Sequence, residues 1–227
     1  MKQNKHNFIL TGFLVLFAAT LLICGCTRTD IKNMDSRGKN IICFGDSITK
    51  GHGASPNADY PSALIKITSV PVVNAGINSD TTTEAVKRVE SDVLSKDPLL
   101  VIVEFGGNDF LNKIPFEETI RNMEEIIKAI QAKGAMVAIA DISGPEVMAD
   151  YGAAYKELSV KYGAILIPGI LNGIFTNPDL KSDFIHPNNQ GYKIVAYRIY
   201  RGIIPYLNKN SILRRSRADN TQDGLRN

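Results

Sequence analysis

Asn40-Ile41-Ile42-Cys43-Phe44-Gly45-Asp46-Ser47-Ile48-Thr49 is the stretch on which the reading of the chain turns. An apolar run of the kind that forms a buried strand stops abruptly in Gly-Asp-Ser-Ile-Thr. Gly45 permits a tight or left-handed turn, and its missing side chain leaves the approach to Ser47 open. On open α/β sheets, reactive hydroxyls sit outside the carboxyl ends of the strands. The same residues also make an ordinary turn. The stretch alone leaves both readings open.

Working outward, short apolar runs alternate with helical periodicity. Ile41–Phe44, Val70–Asn74, Leu99–Phe105, Ala135–Ile142 and Ala164–Ile167 read as strands. They are continuous Val/Ile/Leu runs, as expected of parallel strands covered on both faces. Helices are expected over Tyr60–Ile67, opened by Pro61, and over Asp80–Leu94, with Asp80 as its cap. Three more are expected over Pro115–Lys133, stopped by Gly134, over Glu146–Tyr162 and over Asn189–Leu207. This alternation predicts right-handed βαβ crossovers and an α/β fold. It is a three-layer α/β/α, doubly wound arrangement on a mainly five-stranded parallel sheet.

The chain of 227 residues, 44% apolar, supports one globular domain with extensions. Its formal charge of +3 is carried by the ends, by Lys2 and Lys5 and by the arginine-rich stretch after Asn208. The body between them is slightly acidic, which argues against nucleic acid as a partner. Lys2 and Lys5 precede an apolar run from Phe8 to Ile23, short for a membrane span and suited to a signal peptide. Ile23-Cys24-Gly25-Cys26 resembles the lipobox of bacterial lipoproteins. That resemblance implies cleavage before Cys26 and lipidation of its sulfur, with a plain secretory signal as the alternative. The expected organisation is a signal peptide over 1–25, a lipidated cysteine and polar tether over 26–39, a domain over 40–207 and a basic, disordered tail over 208–227. The tether would span about 20 Å as a flexible coil. Cys43 lies in the first strand and reads as a small hydrophobe. His52 and His186, the histidines left after cleavage, lie far from any Cys/His ligand spacing, so no metal site is expected.

Three polar features follow the ends of strands: Gly45-Asp46-Ser47, Phe105-Gly106-Gly107-Asn108-Asp109, and, in the loop before the last helix, Ser182-Asp183-Phe184-Ile185-His186-Pro187. Parallel strands share a direction, so their carboxyl-end loops converge on one rim. A serine hydroxyl becomes a nucleophile when a base accepts its proton, and an imidazole does so near neutral pH. His186 is such a base, and Asp183, three residues earlier, can orient it. Asn108 offers an amide to an oxyanion, with two glycines permitting close approach. Asp46 and Asp109 adjoin other candidates and read as turn-holders. His52, between Gly51 and Gly53, looks too mobile for a precise base. Each residue alone has a commoner structural explanation; their joint order favours chemistry.

Gly45-Asp46-Ser47-Ile48-Thr49, Gly106-Gly107-Asn108-Asp109 and Asp183-Phe184-Ile185-His186-Pro187 resemble blocks I, III and V of the SGNH, or GDSL-type, hydrolases. Val72-Val73-Asn74-Ala75-Gly76 and His186-Pro187-Asn188-Asn189-Gln190-Gly191-Tyr192 are similar to the thioesterase/lysophospholipase/arylesterase branch. The similarity spans about Asn40 to Leu207. It implies a flavodoxin-like SGNH hydrolase fold, with Ser47 as nucleophile, His186 as base and Asp183 as its acid. It also implies an oxyanion hole formed by Asn108 and the backbone N–H groups of Ser47 and Ser79. That branch carries glycine just before its Asp-Thr pair, whereas Ser79 precedes Asp80-Thr81 here; if the position requires positive φ, a serine there is strained.

The implied activity is hydrolysis of carboxylic esters or thioesters through an acyl-enzyme, without a cofactor. The implied protein is a monomer tethered to a membrane on the periplasmic or exterior side, acting on a small-molecule or lipid ester. A carbohydrate O-deacetylase and a catalytically inactive binding lipoprotein are the alternatives. Ser143 to Tyr155 and the loop at Asn112 to Pro115 are expected to wall the pocket.

Overall fold

The computed structural model describes residues 30–143 and 148–223. The proposed signal segment and Cys26 lie outside them.

Five strands form one parallel sheet: β1 (Asn40–Gly45), β2 (Val72–Gly76), β3 (Pro98–Glu104), β4 (Met136–Ala140) and β5 (Ile165–Ile167). Their order is β2-β1-β3-β4-β5. Successive side chains alternate between the faces of a strand. Ile41, Cys43, Leu100, Ile102, Met136 and Ala138 therefore enter one core layer, while Ile42, Phe44, Val101, Val103, Val137 and Ile139 enter the other. Both layers are closed by helices, which is why these strands are apolar on both faces.

Among the described residues the α-helices are α1 (Ser47–Lys50), α2 (Tyr60–Ile67), α3 (Thr82–Asp92), α4 (Gly107–Leu111), α5 (Phe116–Ala132), α6 (Ala149–Tyr162) and α7 (Asn189–Asp223). Tyr60 and Leu64 of α2 join Tyr192, Val195, Ile199 and Ile203 of α7 in the first layer. The second is covered by Ala85 of α3, Met123, Ile126, Ile127 and Ile130 of α5, and Tyr151, Tyr155 and Leu158 of α6. The α5 positions follow the three-four spacing of an amphipathic helix, with Glu117 and Glu118 in its first turn complementing the helix dipole. The strand order reverses between β1 and β3. The crevice outside their carboxyl ends is where such sheets bind ligands.

The structure departs from the sequence reading at three places. Thr81, not Asp80, caps α3, its hydroxyl accepting from Glu84 N. Asp80 instead pairs with Arg88. The stretch expected to be a free tether docks from Ile31 onward: Ile31 and Met34 pack on the core, and Asn33 Nδ2 donates to the carbonyls of Gln131 (2.8 Å) and Ala135 (2.9 Å). The tail expected to be disordered after Leu207 continues as helix to Asp223. The two extensions hold each other, because the buried Asn210 amide donates to Met34 O at 2.8 Å and Ser36 O at 2.9 Å. Charge counting missed these contacts because two asparagine amides make them.

Candidate active site

Ser47 opens α1 directly after β1, so its N–H is among those that a helix start leaves without an intrahelical acceptor. Asp46 caps the turn, its Oδ1 accepting from Ile48 N at 2.9 Å. From the far end of the domain, His186 Nε2 comes within 3.0 Å of Ser47 Oγ. His186 Nδ1 lies 2.8 and 3.0 Å from the Asp183 oxygens. With Nδ1–H donating to that carboxylate, Nε2 keeps the lone pair that faces the serine hydroxyl. Asp183 Oδ1 also accepts from the N–H groups of Ile185 (2.9 Å) and His186 (2.8 Å). Although partial burial opposes its charge, the bonds from His186 and these amides hold the Asp183 carboxyl down to about 2. It is therefore an anion across the neutral range.

The loop carrying this pair is stapled to the start of α7. Ser182 N donates to His186 O at 3.0 Å. Asn188 Nδ2 donates to the carbonyls of Asp179 (2.8 Å) and Lys181 (3.1 Å), while its Oδ1 accepts from Gln190 N and Gly191 N.

Asn108 stands across the crevice, in the first turn of α4. Its Nδ2 donates to Asp46 Oδ2 at 3.0 Å and to Asp80 O at 2.9 Å. Both neighbours are acceptors, so this orientation of the amide follows from the chemistry. Both of its hydrogens are engaged, and donation to an oxyanion requires one bond to be shared or exchanged. Asp109, fully buried, accepts from Thr82 N, Thr82 Oγ1 and Thr119 Oγ1; it ties α4 to α3 and α5.

Ser79 is the third residue of a turn closed by Asp80 N donating to Ile77 O, and its φ is +63°. Such a turn favours glycine at this position. A side chain there costs about 1–2 kcal/mol.

Two residues that the sequence did not single out hold this rim. Arg88 reaches from α3 to Asp80 Oδ2 (2.6 Å), Ala75 O (2.9 Å) and Gly45 O (3.1 Å), with its guanidinium 4.4 Å above the Phe44 ring. It thus ties the carboxyl ends of β1 and β2 to the turn that carries Ser79. The second is Glu104, the last residue of β3 and fully buried. Its Oε2 accepts from Thr49 Oγ1 at 2.7 Å, and Tyr60 OH completes the chain at 2.9 Å from that hydroxyl. Glu104 Oε1 receives no hydrogen bond, and the same side chain meets the Asp46 carboxylate. Two carboxyl groups bond only when a proton lies between them. Burial, with the Asp46 charge nearby, pushes Glu104 well above the ordinary range. Burial likewise raises Asp46, to about 7. Both shifts favour a proton on this buried pair, and a neutral Glu104 offers one to Asp46. A charged residue closing an otherwise continuous apolar run was the signal for it.

His52 is better held than its two flanking glycines suggest. Its N–H donates to Ser47 O at 2.9 Å, and its carbonyl accepts from Tyr192 OH at 2.8 Å. A side chain at Gly53 would fall 1.9 Å from Ser182 Oγ, so glycine lets this turn press against the histidine loop. The His52 ring lies 4.3 Å from that of His186, centroid to centroid.

A cavity of about 380 Å³ opens beside Ser47. Ile48, Phe110, Leu111, Ile142, Met148, Leu171, Phe175, Phe184 and Ile185 line it, with Lys181 at its edge. The segment after β4 contributes through Ile142 and Met148. The expected wall at Asn112 to Pro115 is instead formed one turn earlier, by Phe110 and Leu111.

Two outcomes test this geometry. Ser79→Gly stabilises the protein against urea by up to about 1 kcal/mol by removing the left-handed strain, part of the gain being offset in the unfolded chain. A loss of stability contradicts the turn. Glu104→Gln mimics the neutral acid, its amide accepting from Thr49 and donating to Asp46. A carboxyl raised on folding contributes fully below its unfolded value, near 4.3, and loses that contribution as pH rises through its folded value. Wild type therefore loses stability relative to the variant as pH rises above the unfolded value. A pH-independent difference in denaturation midpoints contradicts a protonated Glu104.

A family model described as "GDSL-like Lipase/Acylhydrolase family" matches residues 43–194. The chain is 27% identical over 182 residues to the "Thioesterase 1/protease 1/lysophospholipase L1" of Escherichia coli K12, covering 75% of this chain and 86% of that one. It is 32% identical over 106 residues to the "Uncharacterized lipoprotein YqeF" of Bacillus subtilis, covering 43% and 40%. The fold matches the esterase EstA from Pseudoalteromonas, whose structure was solved inhibited by monoethylphosphonate, with a TM-score of 0.68 and 24% identity over 75% of this chain and 99% of that one. On the extent of the family match, joined to this five-stranded parallel sheet, the chain belongs to the GDSL-like lipase/acylhydrolase family.

Proposed function

We propose that the protein is a serine esterase that works through an acyl-enzyme. The observation that carries this reading is the line from Ser47 Oγ through His186 (3.0 Å) to Asp183 (2.8 Å). Ser47 attacks the acyl carbonyl as His186 Nε2 takes its proton, and Asp183 stabilises the imidazolium. The N–H groups of Ser47 and Ser79 receive the developing oxyanion, joined by Asn108 as it shares a hydrogen now given to Asp46 or Asp80. His186 returns the proton to the leaving alcohol or thiol. Water then repeats the sequence and frees the acid.

The apolar lining beside Ser47 favours an acyl chain longer than acetyl, hence a lipid-like ester over an acetylated carbohydrate. Export fits the sequence of residues 1–25, and the lipoprotein-named relative supports lipidation at Cys26. Among the described residues no helix is long and apolar enough to cross a membrane. With Ile31 already docked, Cys26 would hold the domain close to the bilayer.

A p-nitrophenyl ester series from acetyl to decanoyl tests the reading. Each methylene that enters the cavity is worth about 0.8 kcal/mol, roughly fourfold in kcat/KM. The series should climb before it levels, whereas a maximum at acetyl contradicts the substrate class. Ser47→Ala abolishes turnover. Asn108→Ala lowers kcat by about 10²–10³, and a negligible loss removes it from the oxyanion hole.

A further inference from the structure

The sequence gives no metal-ligand spacing, yet folding gathers one set of ligands that it keeps apart. One ligating atom each from His52, Asp183 and His186 lies within 4.8 Å of the other two. His52 Nε2 is 3.9 Å from Asp183 Oδ2, which is itself 2.8 Å from His186 Nδ1. In a tetrahedral zinc site with metal–ligand distances near 2.0–2.1 Å, ligand atoms stand about 3.3 Å apart. The 2.8 Å separation has to open and the 3.9 Å one to close, each by roughly half an ångström, and the third, at most 4.8 Å, has to close by up to about 1.5 Å, movements that side-chain rotations supply. The His52 and Asp183 side chains are 49% and 45% exposed, so an ion can enter from solvent and keep water as its fourth ligand.

We propose that His52, Asp183 and His186 form a binding site for a divalent transition-metal ion of the zinc class, and that occupation of this site switches the esterase off. Two imidazoles with one carboxylate suit zinc, copper or nickel better than calcium or magnesium, which prefer oxygen. The backbone bonds from His52 N to Ser47 O and from Tyr192 OH to His52 O hold that ring at the site before any ion arrives.

Inhibition follows whichever nitrogen of His186 the ion takes. Bound at Nε2, the ion occupies the lone pair that would accept the serine proton. Bound at Nδ1, it displaces the ring's single proton to Nε2, where an N–H then faces Ser47 Oγ. No proton is released in either case, and the base is lost in both. Removal of the ion by a chelator restores it.

The inhibitory half of this proposal rests on the esterase reading; the binding half does not. Zinc chloride titrated into the full protein, followed by calorimetry, should give one site per chain. His52→Asn should weaken that site by at least about tenfold, as losing a ligand costs no less than losing a group that supports one. Zinc inhibition of ester hydrolysis should weaken in parallel, each enzyme being compared with its own metal-free rate. Thermal unfolding without zinc checks that the variant is folded. A protein that binds zinc through His52 yet hydrolyses no ester supports the metal site while sinking the esterase reading. No zinc uptake, or uptake untouched by His52→Asn, overturns the proposal.

Discussion

The register that sets Gly45 of β1 beside Glu104 of β3 fixes the rest of the site. A side chain at Gly45 would fall 2.1 Å from Thr49 Oγ1 and 2.6 Å from Glu104 Oε2, so only glycine lets the glutamate lie across the strand end. There Glu104 meets Thr49 on one side and Asp46 on the other. Asp46 caps the turn of Ser47 and accepts from Asn108. Ser47 and the Asn108 amide thus hang on one buried network that runs through Asp46. Such a network is costly when incomplete and rigid when every partner is satisfied.

This arrangement places negative or proton-sharing groups behind the position where an oxyanion would form. The two hydrogens of Asn108 are held by Asp46 and Asp80, and Arg88 draws Asp80 and the end of β1 together. The Asn108 amide is therefore held from behind, by acceptors that keep it in one orientation. On the opposite wall His186 is aligned by Asp183 and bordered by His52. Ser47 and His186 come from opposite ends of the domain chain. Docking of α7 along the first core layer joins them, through Tyr192, Val195, Ile199 and Ile203.

Much of this was legible in the chain. Continuous apolar runs marked the five strands, and motif order placed Ser47, Asn108, Asp183 and His186 at strand ends or in the loop before α7. What stayed illegible depends on distance in space. Arg88 is an ordinary helix residue until folding sets its guanidinium over Phe44. Asn33 and Asn210 look like loop residues, yet their amides cap carbonyls far along the chain. His52 showed only two flanking glycines, and its ring neighbour arrives from another loop. Burial, which pushes the Glu104 carboxyl up, has no local signature beyond its apolar run.

The central claim is that Ser47 is the atom acylated and His186 the group that activates it. Reaction of the purified protein with a fluorophosphonate, followed by peptide mass spectrometry, addresses it directly. The account predicts one stoichiometric adduct on the peptide containing Ser47, its rate of formation falling sharply in His186→Ala. An unlabelled protein, or an adduct on another residue, would contradict it.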